Sequence, residues 1–113
     1  MVKTSNPEAA CCTIPLVPLS ASLAKEEAEL ATLAKALGHP ARIRILRVLL
    51  AQDSCIAGDL QAEVGLAAST VSQHLKALKE SGWVQGEVDG PRRCYCLVPK
   101  VRERFFTLLG ELL

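Results

Sequence analysis

Aromatic side chains are scarce in this 113-residue chain: one Trp, one Tyr and two Phe. With 50 % hydrophobic residues, the core must be built from Leu, Val, Ile and Ala, as in helical domains. No apolar run is long enough to cross a bilayer. No basic region followed by an apolar block opens the chain, so no signal peptide is expected and the reading is cytoplasmic. Net charge is only +1, which excludes a polycation, so any grip on nucleic acid must come from local clustering. There is no internal repeat and no low-complexity segment. The length suits one domain around one core. Cysteine is the exception to this scarcity. Five of them in a small chain under reducing conditions argue against a disulfide framework and for metal or metalloid binding.

The most informative stretch runs from Ala67 to Val84. Val71, Leu75 and Leu78 recur at i, i+4, i+7, which is one face of a helix. Ser69, Thr70, Ser72, Gln73, Lys76 and Lys79 fall on other faces, and no carboxylate precedes Glu80. Gly82 stops the helix. The pattern fits an ordinary amphipathic surface helix. It also fits a helix that reads DNA, with hydroxyls and amides on base edges and lysines on phosphates. The flanks favour the second reading. Ile56, Leu60 and Val64 sit at i, i+4, i+8, predicting a short helix, and Gly65-Leu66-Ala67 makes a tight break. Helix, Gly-containing turn and second helix form a helix-turn-helix signature. Downstream, Trp83 to Val88 and Arg92 to Val98 read as strands around Asp89-Gly90, a hairpin turn signal. A basic-tipped hairpin after a helix-turn-helix makes a winged helix.

Residues 1–19 carry Pro7, Pro15 and Pro18 without periodicity and read as a flexible arm holding Cys11 and Cys12. These thiols are either accidental or put to use. Residues 20–113 form the folded domain. Ser22 to Leu37 predicts a helix capped by Ser20 or Ser22, with Leu23, Leu30, Leu33 and Leu37 on its apolar face and Ala24, Ala28, Ala31 and Ala34 permitting close packing. Pro40 opens the next helix, which buries Ile43, Leu46, Val48, Leu49 and Leu50. Its Arg42, Arg44 and Arg47, with Lys76 and Lys79 and with Arg92 and Arg93 at the hairpin tip, outline a positive face, while Glu26, Glu27 and Glu29 lie elsewhere. His39 reads as a structural linker residue. His74 is expected against DNA or a neighbouring helix. Asp53-Ser54 can cap the short helix, placing Cys55 at a helix N-terminus where the dipole favours a thiolate; a small buried hydrophobe is the other reading. Alternation puts Cys94 and Cys96 on one strand face, with Tyr95 and Leu97 facing the core. Val101, Phe105, Leu108, Leu109 and Leu112 form a helical stripe at the end of the chain. With Leu23 and Leu30 it is expected to bury itself in a dimer.

Leu37-Gly38-His39-Pro40-Ala41-Arg42-Ile43-Arg44-Ile45-Leu46, Ser69-Thr70-Val71-Ser72-Gln73-His74-Leu75-Lys76-Ala77-Leu78, and Gly90-Pro91-Arg92-Arg93 with Tyr95 and Leu97 resemble the ArsR/SmtB family of metal- and metalloid-responsive repressors. The resemblance spans roughly Ala31 to Val98. It implies a mainly α winged helix-turn-helix with a two-stranded β-wing: four helices, the hairpin, then a closing helix. It implies a homodimer that occupies operator DNA through Ser69, Thr70, Ser72, Gln73, His74, Lys76, Arg92 and Arg93 and lets go on binding its inducer. One family site uses Asp and His on the last helix; Val101 to Leu113 holds neither. Another uses a Cys-x-Cys pair at the start of the helix before the reading helix; Cys55 is there, but Ala57 takes the second place. A third joins arm cysteines to that helix of the other subunit, and Cys11, Cys12 and Cys55 fit it with one thiol fewer than a cadmium or lead site. Three thiolates suit trivalent arsenic or antimony, whereas closed structural zinc sites take four ligands and soft sulfur argues against magnesium or calcium. The expectation is arsenite as inducer, bound by Cys11, Cys12 and Cys55. Cadmium, lead or thiol oxidation are the alternatives. No enzymatic activity is expected: Cys96 and Arg102 match a thiol-phosphatase spacing, but Pro99 and the lack of glycine spoil an oxyanion cradle.

Overall fold

The structure, a computed structural model, describes residues 15–18, 23–52, 55–57, 60–88, 90 and 93–113. Cys11, Cys12, Asp53-Ser54, Asp89, Pro91, Arg92 and the predicted boundary at residues 19 and 20 lie outside them. The described elements run α1 (Ala24–Ala36), α2 (Pro40–Leu50), β1 (Ile56–Ala57), α3 (Gln61–Val64), α4 (Ala68–Ser81), β2 (Val84–Glu87), β3 (Cys94–Leu97) and α5 (Pro99–Leu112). This is the expected helix order and hairpin, with β1 added.

Helix α1 starts after Leu23, carries Glu26 and Glu27 in its first turn and Lys35 in its last, and buries Leu33 and Ala36. Those charges suit the two ends of the helix dipole. Helix α2 opens on Pro40, and the His39 ring caps it by accepting from the Ala41 N–H at 3.1 Å. Its inward stripe is Ala41, Ile45, Leu46 and Leu49. This corrects the expected α2 core. Ile43 and Leu50 are exposed and Val48 half-buried, because Ile43 and Leu50, seven residues apart, share the opposite face.

The largest departure lies between α2 and α4. No helix starts near Cys55. Instead Ile56 and Ala57 form a short strand antiparallel to β3, with Ile56 opposite Tyr95 and Ala57 opposite Cys94. The helix that follows has only four residues. Ile56, Leu60 and Val64 all reach the core, but Ile56 does so from a strand. A β-branched residue fits that pleated edge, so a helical spacing arises from strand and helix in series.

Gly65 ends α3 at φ 77° and Gly82 ends α4 at φ 99°, both left-handed. The sheet order is β1-β3-β2. In the hairpin Val84 faces Leu97 and Gly86 faces Tyr95. Ile45, Leu75, Leu78, Val84 and Tyr95 are the largest fully buried side chains. Trp83 closes the core, its indole N–H donating to the Leu33 carbonyl at 3.0 Å and its ring meeting Phe105 edge-on at 5.2 Å. Across the outside, the Arg104 guanidinium donates two bonds of 2.9 Å to the Glu29 carboxylate, tying α5 to α1. No helix among the described residues is long and apolar enough to span a membrane.

Candidate nucleic-acid interface and thiol pair

Helix α4 turns Val71, His74, Leu75 and Leu78 into the core. Ser69, Gln73 and Lys76 therefore share an exposed face at i, i+4, i+7, with Thr70 and Ser72 half-buried at its border. That face offers hydroxyl, amide and ammonium groups of a size suited to a major groove. Lys79, read from sequence as a phosphate contact, donates instead to the Gly86 carbonyl at 2.6 Å. It ties the end of α4 to the wing and fixes their relative position. Arg93 is half-buried at the turn end of the wing, just before β3.

For His74 the neighbouring-helix reading holds and the DNA contact is what is corrected. The residue is only 9 % exposed and reaches no outer face. Its position, three residues after Val71 and four before Leu78, puts it on the core side. There the Arg42 Nε donates to its Nδ1 at 3.2 Å, and its ring lies 4.4 Å from that of His39. Burial lowers the His74 pKa, and the neighbouring His39 and Arg42 lower it further. A neutral ring accepting at Nδ1 satisfies both constraints. Arg42 also donates to the Ala36 carbonyl at 3.4 Å. So Arg42 joins α1, α2 and α4 rather than extending the basic surface.

The cysteines are rearranged more deeply. Tyr95 is 1 % exposed in the core and Leu97 packs against it from the edge; Cys94 is exposed and Cys96 half-buried. That much matches the strand alternation. Cys55, however, is not at a helix N-terminus, so no helix dipole acts on its sulfur. It sits just before β1 and is joined to Cys96 in a disulfide, with Cα atoms 4.4 Å apart across 41 residues of chain. From sequence, alternation places Cys94 and Cys96 on one strand face but names no partner for either sulfur. The missing signal was the β1–β3 pairing, which no local pattern announces. Among the described residues no group of three or more His, Cys, Asp and Glu is placed to hold a metal ion.

Helix α5 also divides the predicted dimer stripe. Leu108 is 3 % exposed inside the protomer core, a correction, because it joins the buried cluster that includes Leu33 and Trp83 rather than pointing outward. Val101, Phe105 and Leu109 are half-buried. Leu23, Phe106, Leu112 and Leu113 remain exposed, Phe106 at 57 % and Leu112 at 68 %. The Cys96–Arg102 spacing spans strand β3 and the first turn of α5. Its Arg102 guanidinium lies 5.5 Å from the centre of the Phe106 ring.

A helix-turn-helix whose second helix shows a carboxylate-free polar face beside a β-hairpin defines a winged helix-turn-helix module. Comparison with known proteins agrees. The pattern of the bacterial regulatory protein, arsR family, matches residues 39–85. The HTH-type transcriptional regulator CmtR of Mycobacterium tuberculosis is 41 % identical over 86 residues, 76 % of this chain and 70 % of that one. The HTH-type transcriptional regulator Rv0081 of the same organism is 40 % identical over 70 residues, a match spanning only 61 % of its length. The crystal structure of Rv0081 superposes with TM-score 0.54 at 37 % identity, covering 82 % of this chain and 91 % of that one. A homodimeric winged helix-turn-helix DNA-binding domain from Mycobacterium bovis, a possible ArsR-family regulator, superposes with TM-score 0.58 at 25 % identity, covering 86 % and 90 %. The chain belongs to the arsR family of bacterial regulatory proteins.

Proposed function

We propose that the protein is a homodimeric transcriptional repressor that holds operator DNA through α4 and the wing and releases it when a soft trivalent arsenical binds its thiols. The exposed, carboxylate-free face of Ser69, Gln73 and Lys76 carries the DNA half of this reading. Two such helices in a dimer would enter successive major grooves about 34 Å apart. The apolar side chains left open at Leu23, Phe106, Leu112 and Leu113 support a second copy of the chain as their cover, as does the homodimeric relative.

The inducer half rests on Cys55 with Cys11 and Cys12. Cys55 is exposed and stands just before β1 and α3, so an ion drawn onto its sulfur pulls on the segment that supports α4. Three thiolates match the pyramidal coordination of trivalent arsenic. A coupling of a few kcal/mol is enough to change operator occupancy by orders of magnitude. The test is DNA release by arsenite, antimonite, cadmium and lead, followed by fluorescence anisotropy on reduced protein. Cys11→Ser, Cys12→Ser and Cys55→Ser are each expected to bind operator without releasing it on arsenite. A full arsenite response in Cys55→Ser would refute the site, and a response to cadmium alone would move the reading to a divalent soft metal.

A further inference from the structure

We propose that Cys55 and Cys96 are a reversible oxidation site whose disulfide takes Cys55 away from the inducer and leaves the repressor on its DNA. Strand pairing carries the argument. Ile56 faces Tyr95 and Ala57 faces Cys94 in an antiparallel ladder, so one step back along the same register sets Cys55 opposite Cys96. Their Cα separation of 4.4 Å matches the roughly 4.5 Å of directly opposed residues in a non-hydrogen-bonded antiparallel pair. It also reaches the roughly 4.4–6.8 Å window of disulfides. Whenever β1 is paired, the two sulfurs are neighbours without any movement of the backbone. Cys94, two pairs further along, faces Ala57 and has no sulfur opposite; it is free and exposed. The Gln85 amide donates to the Cys96 sulfur at 3.8 Å.

Cys55 is exposed and Cys96 half-buried, so a small oxidant reaches the pair. A protein working on DNA meets reducing conditions, where a disulfide is usually transient and redox-sensing. The co-reactant is a hydroperoxide. One thiolate attacks the peroxide O–O bond, giving a sulfenic acid and releasing the alcohol, or water from hydrogen peroxide. The second thiolate attacks the sulfenic sulfur, the S–S bond forms, and the hydroxyl leaves as water with the remaining proton. Two thiols lose two electrons and two protons, and the peroxide gains them. A dithiol reductant reverses the step by exchange.

The consequence for sensing follows from valence and rests on the thiol-inducer reading above. Only a thiolate ligates a soft ion, so a Cys55 sulfur bonded to Cys96 is lost to arsenite, and arsenite on Cys55 shields it from peroxide. The link joins residues already opposed in the ladder. It therefore keeps α4 and the wing as they stand, and the oxidised protein stays on its operator.

The experiment treats the full chain with hydrogen peroxide, blocks remaining thiols by alkylation and maps the linked peptides. A Cys55–Cys96 peptide is expected, with a mass loss of two hydrogens, abolished by prior arsenite and reversed by dithiothreitol. In DNA-release assays, oxidised wild type is expected to bind operator and ignore arsenite. Cys96→Ser is expected to respond to arsenite before peroxide and to give no linked Cys55 peptide after it. Cys55 and Cys96 both alkylated after peroxide would overturn the proposal, as would arsenite release from the linked protein. If reduced wild type ignores arsenite, the inducer reading fails, while the peptide map still judges the disulfide.

Discussion

Trp83 carries its indole N–H across 50 residues of chain to the Leu33 carbonyl. A Trp83→Phe change removes the donor, strands a buried carbonyl and leaves a gap against Phe105. We expect a loss of about 1–3 kcal/mol in urea unfolding from the orphaned acceptor alone. His74 sets a pH limit. Its folded pKa lies below the ordinary value of about 6.5, so the unfolded chain takes up the proton first as pH falls. Its contribution to stability is complete above that ordinary value and is lost as pH drops through it toward the depressed folded value. The urea midpoint is expected to be level above neutrality and to decline below about pH 6.5. In His74→Asn that decline should be shallower. The Glu29–Arg104 pair holds the Glu29 carboxylate below its usual range through the guanidinium hydrogen bonds. It is exposed on both sides, so Glu29→Gln should have a small effect that salt erases.

At the scale of elements, the wing depends on a backbone that only glycine tolerates. Gly86 sits at φ 112°, and a Cβ there would run into the Cys94 carbonyl of the facing strand. Gly86→Ala is expected to cost about 1–3 kcal/mol from backbone strain and to splay β2 from β3. Loss of operator affinity at unchanged helix content would show it. On α4 the side chains divide by role. Gln73→Ala should cost about 1–3 kcal/mol on the preferred operator and relax discrimination at one base position. Lys76→Ala should weaken all sequences alike and lower the slope of affinity against salt by about 1. Equal losses on specific and random DNA for Gln73→Ala would remove it from base readout.

At the scale of the molecule, the open apolar residues of α1 and α5 are the expected seam between two copies. Phe106→Glu or Leu112→Glu places a charge there. Sedimentation should then give a monomer, and operator affinity should fall because two reading heads no longer bind together. A dimer that persists in both variants would place the seam elsewhere.

Local pattern determined much of this protein. The i, i+4 apolar spacing, Pro40, Gly65 and Gly82 were enough to locate α2 and α4, and alternation around Tyr95 located β3, because each depends on neighbours within a few residues. Patterns blind to burial left His74 open between DNA and a neighbouring helix and turned Leu108 outward, whereas both lie on the inward side of their helices. Only the tertiary structure decided the partner of Cys55. Ile56, Leu60 and Val64 satisfy a helical period, yet the edge of β3, 41 residues downstream of Cys55, draws Ile56 into a strand and sets one sulfur against another. That outcome is a competition between a short local helix and a long-range hydrogen-bonded ladder, and a linear sequence records no distance across a sheet.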